Sequence, residues 1–177
     1  MTAVLAPAVL ALGSNLPSPV GDPFATLCSA VDHLAREVWV SAVSPVYETD
    51  PVGGPQGQPA YLNAVVLVQT QLSAHAVLDL ALRVEAAHGR LRAERWGPRS
   101  LDVDVIDHTE SPVHDDVLTL PHPRAHERAF VLAPWADLDP GASVGDRGTV
   151  AELLARADRG GLRRRDDLVL PRPGRLR

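Results

Sequence analysis

The spacing of apolar positions along the chain predicts four strands and two helices. Apolar runs and alternation are typical of strands, whereas apolar residues three and four apart are typical of a helix with one buried face. The predicted strands cover residues 8–15, 38–49, 61–72 and 100–107, and the predicted helices cover residues 22–37 and 74–90. Their order predicts an α+β fold of the ferredoxin-like type (βαββαβ). Its antiparallel sheet would carry both helices on one face and loops on the other, with room for a third layer.

Capping residues mark the ends of the two helices. Asp22, followed by proline, and Ser73 are suitable N-caps, and Gly89 is a suitable C-terminal stop. These signals support the helix boundaries independently of the apolar spacing.

The length of the chain predicts one main domain. We assign residues 1–160 to it, including a last short helix at residues 149–157. Residues 161–177 are rich in arginine, glycine and proline and are predicted to form a surface C-terminal tail.

Two aspartates interrupt the fourth predicted strand. Asp102 and Asp104 alternate with three apolar residues in LDVDV, so both carboxylates face one side of the strand while the apolar residues face the core. Carboxylates roughly 6.5–7 Å apart repel each other unless cations lie between them, and hard oxygen ligands suit Mg²⁺. Two Mg²⁺ ions about 3.5–4 Å apart are typical of phosphoryl-type transfer. An edge strand with a solvated polar face explains the spacing equally well.

Arginines are concentrated just before the two aspartates, at positions 90, 92, 95 and 99. Guanidinium groups bind phosphate oxygens through paired hydrogen bonds, so this segment beside the carboxylates predicts a polyphosphate site. The alternative is a solvated loop whose arginines neutralise nearby carboxylates. No Gly-Lys-Ser/Thr phosphate loop is present, so side chains and metal would have to hold a nucleotide.

Three further residues suit a small-molecule site. Tyr61 and Asn63 are two apart on a strand, so a ring and an amide would face the same flat heteroaromatic ligand. An ordinary strand-edge tyrosine and turn asparagine are the alternative. His122 lies between two prolines, where it would be held rigidly enough to contact phosphate. A zinc site around it is not expected, because further ligands are missing.

Composition narrows the function classes. The net charge of −5 argues against general nucleic-acid binding, and all 17 basic residues are arginine. The single cysteine, Cys28, excludes an intrachain disulfide and favours a reducing compartment. The apolar start of the chain has no basic residue before Arg36 and is too short to span a bilayer. We therefore expect a cytoplasmic protein with no membrane partner.

Four segments in order resemble the hydroxymethyldihydropterin pyrophosphokinase family of folate biosynthesis. They are ALGSNL, YETDPVGGPQGQPAYLNAVV, EAAHGRLRAERWGPRSLDVDV and LPHPRAHERAFVLAPW, and the resemblance extends over residues 8–140. The family transfers a diphosphate group from ATP to the hydroxymethyl group of 6-hydroxymethyl-7,8-dihydropterin and releases AMP. The resemblance implies ATP as co-substrate, two Mg²⁺ ions and a monomer.

The resemblance also implies site residues. Asp102 and Asp104 would hold the metal ions and, with Arg90 and Arg99, would be catalytic. The residues implied for the pterin are Thr49, Asp50, Val52, Tyr61, Asn63 and Phe130. The residues implied for ATP are Glu85, Arg92, Trp96, Arg99, Val105, Thr119, His122 and Arg128. Loops at residues 53–59 and 90–98 would act as mobile covers.

Two other functions stay open at this point. One is a different Mg²⁺-dependent phosphoryl or nucleotidyl transferase on a ferredoxin-like sheet, which would leave Tyr61 and Asn63 unexplained. The other is a non-catalytic ligand-binding module, which would need no paired aspartates. Some family members carry lysine in the arginine-rich cover loop and glutamine at the position of Leu82. The side-chain contacts with the nucleotide are therefore expected to differ in detail here.

Overall fold

A computed structural model describes residues 5–51, 57–89 and 99–172. Its strands are β1 (Ala6–Ser14), β2 (Trp39–Val43), β3 (Val46–Thr49), β4 (Tyr61–Thr70), β5 (Asp102–His108), β6 (Val113–His114), β7 (Thr119–Leu120) and β8 (Leu162–Arg165). Its α-helices are α1 (Pro23–Leu34), α2 (Ala74–Ala87), α3 (Ala129–Ala136) and α4 (Val150–Arg156), and a short 3₁₀ helix covers Ala125–Glu127.

A six-stranded antiparallel sheet forms the centre of the fold. The strand order is β5-β1-β4-β3-β8, and β2 pairs with β4 next to β3. The predicted second strand is therefore split in two. Ser44 interrupts it by exchanging hydrogen bonds with the backbone of Val65, and Pro45 has no N–H to continue the ladder. With this split, the predicted ferredoxin-like element order is confirmed.

The two faces of the sheet pack against different helices. Along β1, Leu10 and Leu12 belong to the core under α1 and α2, whereas Val9 and Ala11 pack with a second core under α3 and α4. Trp135 of α3 is 2% exposed at the centre of this second core. The third layer for which the predicted fold leaves room is present on this face and consists of α3 and α4.

The predicted helix caps are confirmed. The carboxylate of Asp22 accepts the backbone N–H of Ala25, and the hydroxyl of Ser73 accepts that of Ala76. Gly89 follows α2 with φ +73°, a conformation that side-chain-bearing residues rarely adopt. The caps therefore fix where both helices begin and where α2 ends.

The C-terminal segment is more ordered than a surface tail. Strand β8 pairs with β3 from Val46↔Arg165 to Thr49↔Leu162, so the expectation of a tail from residue 161 is wrong for these residues. A run of arginines is typical of a solvated segment. It forms an edge strand here because Glu48 on β3 pairs with Arg163 and Arg165.

We predict that the second core is an integral part of the fold. Leu132 of α3 is fully buried in it, so Leu132→Ala should lower the free energy of unfolding by about 2–5 kcal/mol in urea titrations. Leu82→Ala is a matched control on α2, where Leu82 is 37% exposed, and should cost at most about 0.5 kcal/mol. Equal losses in the two variants would show that α3 does not pack as described.

Candidate active site

A cavity of about 580 Å³ opens on the face of the sheet that carries α3. Its floor comes from the ends of β1, β3, β4 and β5, and its sides come from the segment that leads into α3 and from the turn before β8. Ten of the predicted site residues line it: Thr49, Asp50, Tyr61, Asn63, Arg99, Asp102, Asp104, His122, Arg128 and Phe130.

Asp102 and Asp104 both face the cavity, as their alternation predicts, while Val103 between them is buried in the core. A guanidinium nitrogen of Arg99 lies 2.9 Å from a carboxylate oxygen of Asp102, and one of Arg128 lies 3.4 Å from Asp104. Each carboxylate thus meets a cation from a different segment of the chain. The pair and its arginines form the polar end of the cavity.

Glu85 supports the strand that carries this pair. It is 3% exposed on α2, and its carboxylate accepts the backbone N–H of Val103 at 2.8 Å. Glu85 is not among the described residues that line the cavity, so its contact with β5 is observed and its contact with ATP stays a prediction. A buried carboxylate bound to a strand N–H restrains the backbone between the two aspartates.

Two other predicted nucleotide contacts are not found at the cavity. Val105 is 4% exposed in the core under α1 and α2, because it alternates with Asp104 and faces the other side of the strand. Thr119 lies on β7 and does not line the cavity. The contacts of these two residues with ATP that the resemblance implies stay predictions.

Thr49, Tyr61 and Asn63 form a second, less charged end. The side-chain amide of Asn63 donates to the hydroxyl of Thr49 at 2.9 Å, and Thr49 pairs with Tyr61 across β3 and β4. Asn63 is 5% exposed, so this hydrogen bond holds its amide plane fixed. Phe130 lines the cavity from α3, and its ring centre lies 5.6 Å from the guanidinium carbon of Arg128.

Gly13 separates the two ends, and sequence reasoning missed it. In the sheet register Gly13 lies between Asp102 on β5 and Asn63 on β4. A Cβ atom there would be 3.4 Å from Asn63 Oδ1 and 4.0 Å from Asp102 Cβ. A glycine at the end of a buried strand signals a close approach, and here it keeps the floor of the cavity open.

Asn15 was also missed, although it follows in the quoted segment ALGSNL. Its side chain is 1% exposed, donates to the carbonyl oxygen of Pro59 at 3.1 Å and accepts the backbone N–H of Arg99 at 2.8 Å. The residue joins the start of β4 to the start of β5. An asparagine directly after a strand was the available signal, because its amide can bond two backbones at once.

His122 is held neutral at the polar end of the cavity. Burial lowers the pKa of His122 to about 4, and the charge of Arg128 acts in the same direction, while Asp102 opposes it. Its Nδ1 atom accepts the backbone N–H of Arg124 at 3.2 Å. Because Nδ1 accepts a hydrogen bond, the single ring proton of the neutral histidine lies on Nε2, which can donate a hydrogen bond.

Several predicted residues lie outside the described part of the chain. They are Val52, Arg90, Arg92, Arg95 and Trp96, together with most of the predicted cover loops. Other cavity residues were not predicted: Arg124, Glu127, Asp158, Gly160 and Leu162. The last three come from the C-terminal segment that had been interpreted in part as a tail.

Known proteins similar to this chain are named consistently. The family model described as 7,8-dihydro-6-hydroxymethylpterin-pyrophosphokinase (HPPK) matches residues 9–140. A 2-amino-4-hydroxy-6-hydroxymethyldihydropteridine pyrophosphokinase from Methylorubrum extorquens is 44% identical over 89% of this chain and 97% of its own length. Proteins of the same name from Mycobacterium tuberculosis and Bacillus subtilis are 44% and 41% identical over 88% and 74% of this chain, and over 87% and 77% of their own lengths.

Solved structures agree at the level of the fold. A chain of Plasmodium falciparum HPPK-DHPS superposes with a TM-score of 0.69 at 13% identity, over 86% of this chain and 45% of that longer chain. At this identity the likeness concerns the fold alone. The sequence matches carry the assignment: the chain belongs to the 7,8-dihydro-6-hydroxymethylpterin-pyrophosphokinase family.

We predict that His122 titrates with a pKa of about 4, measured from its ring proton resonances by NMR. Because this value lies below the ordinary 6.5, the unfolded chain binds the proton first, so the free energy of unfolding should fall as pH drops from 6.5 to about 4. Arg128→Gln should raise the pKa of His122. An ordinary pKa in the unmodified protein would contradict the burial of the ring.

Proposed function

We propose that the cavity is where this chain carries out the reaction of its family. The chain is a diphosphotransferase of folate biosynthesis: it transfers a diphosphate group from ATP to the hydroxymethyl group of 6-hydroxymethyl-7,8-dihydropterin and releases AMP. One observation supports this most strongly. A carboxylate pair and a fixed aromatic–amide group share one cavity, separated only by the floor at Gly13.

The less charged end fits the pterin. Tyr61 and Phe130 would stack on the faces of the flat ring, and Asn63 would bond its polar edge with an amide already oriented by Thr49. The backbone at Asp50 would contribute further hydrogen bonds, and Val52 remains a predicted contact. This arrangement would leave the hydroxymethyl group of the substrate near Gly13 and the carboxylates.

The arginine-lined end fits the triphosphate of ATP. Arg99 and Arg128 lie beside the carboxylates and would bind phosphate oxygens, and neutral His122 would donate one hydrogen bond. Arg90, Arg92 and Trp96 remain predicted nucleotide or phosphate contacts. Guanidinium groups suit this role because they stay charged and bind two oxygens at once.

Asp102 and Asp104 fit Mg²⁺. Within residues 5–51, 57–89 and 99–172 no cluster of three His, Cys, Asp or Glu side chains surrounds a common point. Magnesium nevertheless needs only one or two carboxylates when substrate phosphates and water complete its coordination. The two aspartates would hold the two ions, which neutralise the phosphate charge when bound.

Catalysis would depend mainly on the alignment of the two substrates, because a direct transfer to the pterin hydroxyl needs no covalent intermediate. Asn63 and the two aromatic rings would hold the hydroxyl toward the β-phosphorus, and Arg99 and Arg128 would stabilise charge on the transferred oxygens. The predicted covers at residues 53–59 and 90–98 would exclude water that competes for the diphosphate. Asn15 would tether Pro59, the last residue of the first cover, and Arg99, which directly follows the second.

The remaining expectations concern the protein in the cell. The described residues include no helix long and apolar enough to cross a membrane. We propose a monomer, as the resemblance implies. Its single cysteine favours the cytoplasm and its acidic charge argues against nucleic-acid binding, so its partners would be its two small-molecule substrates.

We predict that AMP is the nucleotide product. Purified protein incubated with ATP, Mg²⁺ and 6-hydroxymethyl-7,8-dihydropterin should release AMP only when the pterin is present, as measured by ion-exchange chromatography. Formation of ADP or pyrophosphate would indicate a different transferase. Mg²⁺-independent pterin binding without turnover would favour a binding module.

We predict that Asp104→Asn lowers kcat by at least about a hundredfold, because the neutral amide loses the charge that would hold the metal ion. Circular dichroism should show an unchanged fold. Asp107→Asn is the matched control: Asp107 lies on the same strand, bonds Ser111 and does not line the cavity, so turnover should stay near normal. Near-normal turnover of Asp104→Asn would contradict a metal role.

A further inference from the structure

The C-terminal segment forms the outer wall of the less charged end of the cavity. Leu162, the first residue of β8, pairs with Thr49 on β3 and lines the cavity next to it. Asp158 and Gly160 extend this wall. The row Tyr61–Thr49–Leu162 across three strands therefore ends at β8.

The turn before β8 passes directly against Asp50. Gly161 has φ +72°, and a Cβ atom on it would lie 2.6 Å from Asp50 Oδ2 and 3.1 Å from its Cγ. Any larger residue at position 161 would have to displace Asp50 and would also adopt a strained backbone. The position of Asp50 is thus coupled to the path of the C-terminal segment.

Arg163 links the same aspartate to β3. Its Nη2 atom donates to Asp50 at 3.2 Å, and its Nε and Nη2 atoms donate to one oxygen of Glu48 at 3.0 and 2.7 Å. The hydrogen bond from Arg163 is the largest influence that lowers the pKa of Glu48. Arg163 therefore bridges two acidic residues on either side of Thr49.

Arg165 makes similar hydrogen bonds farther from the cavity. It donates to the second oxygen of Glu48 at 2.6 Å and to Asp167, and within the described residues no hydrogen bond or ion pair joins it to Asp50. Removing Arg163 would leave Glu48 paired with Arg165. The two arginines therefore share the partner Glu48 and differ in their contact with Asp50, within the described residues.

We propose that Arg163 is a positioning residue for the pterin end of the cavity. It holds Asp50, and through it the Thr49–Asp50 backbone, at the distance that lets Thr49 orient Asn63. The proposal rests on the proposed function and adds a role for the C-terminal strand in substrate binding. Arg163 itself does not line the cavity and acts through Asp50.

Steady-state kinetics of three variants test the role of Arg163. Arg163→Gln should raise the KM for the dihydropterin by roughly two- to fivefold, the range that a partly exposed ion pair can reach, with kcat and the KM for ATP unchanged. Arg163→Lys should restore most of the loss because an ammonium still reaches Asp50. Arg165→Gln should leave the KM for the dihydropterin unchanged. Amide hydrogen exchange at residues 49 and 50 should be faster in Arg163→Gln alone.

Gly161→Ala is an independent second variant, and it should raise the KM for the dihydropterin in the same direction if the protein remains folded by circular dichroism. The proposal is overturned if Arg163→Gln and Arg165→Gln behave alike, if both substrate KM values change together, or if the folded Arg163→Gln protein binds pterin normally. Production of AMP by the unmodified enzyme separates these results from failure of the proposed function. Absence of AMP there would overturn both.

Discussion

The pairing of β1 with β4 on one side and β5 on the other is the constraint on which the site depends. It brings Asn63 and Asp102 to the two sides of Gly13, in a single row across the sheet. Residues that are about forty positions apart in the chain thereby share one floor, which a backbone ladder holds rigidly. Every other part of the site either lines this floor or holds one of its strands, as Glu85 does for β5. The fold thus places the carboxylate pair and the aromatic–amide group side by side before any side chain moves.

The local elements were predictable because their signals are local. Asp22 and Ser73 each cap a helix through their own side chain, and the alternation in LDVDV already separates buried Val103 from Asp102 and Asp104. The sequence left room for a third layer and predicted the helix α4, but the packing of this layer and the strand β8 depend on contacts between distant segments. An arginine-rich run has no strand signal of its own, and it becomes a strand only when Glu48 on β3 compensates its charge.

The residues of the candidate site show the same difference between local signals and contacts between distant segments. Residues with a distinctive chemistry, such as Asp104, Asn63 and His122, were found from spacing and from the resemblance, and the structure brings them to one cavity. Val105 faces the core, as the alternation in LDVDV predicts, and its implied contact with ATP stays a prediction. Gly13 and Asn15 were overlooked because their roles depend on how the strands pair. Gly13 leaves space on the floor of the cavity, and Asn15 bridges two backbone segments.

The hydrogen bond from Val103 to Glu85 has a further consequence for how the protein behaves in solution. Strand β5 is an edge of the six-stranded sheet, and edge strands offer unpaired N–H groups to which another chain can add. The buried carboxylate of Glu85 accepts a hydrogen bond from one of these groups, the N–H of Val103 near the start of the strand. A foreign strand would have to break this buried hydrogen bond, which costs free energy. The hydrogen bond between Val103 and Glu85 therefore restrains β5 and also hinders the addition of a strand from another chain at this edge.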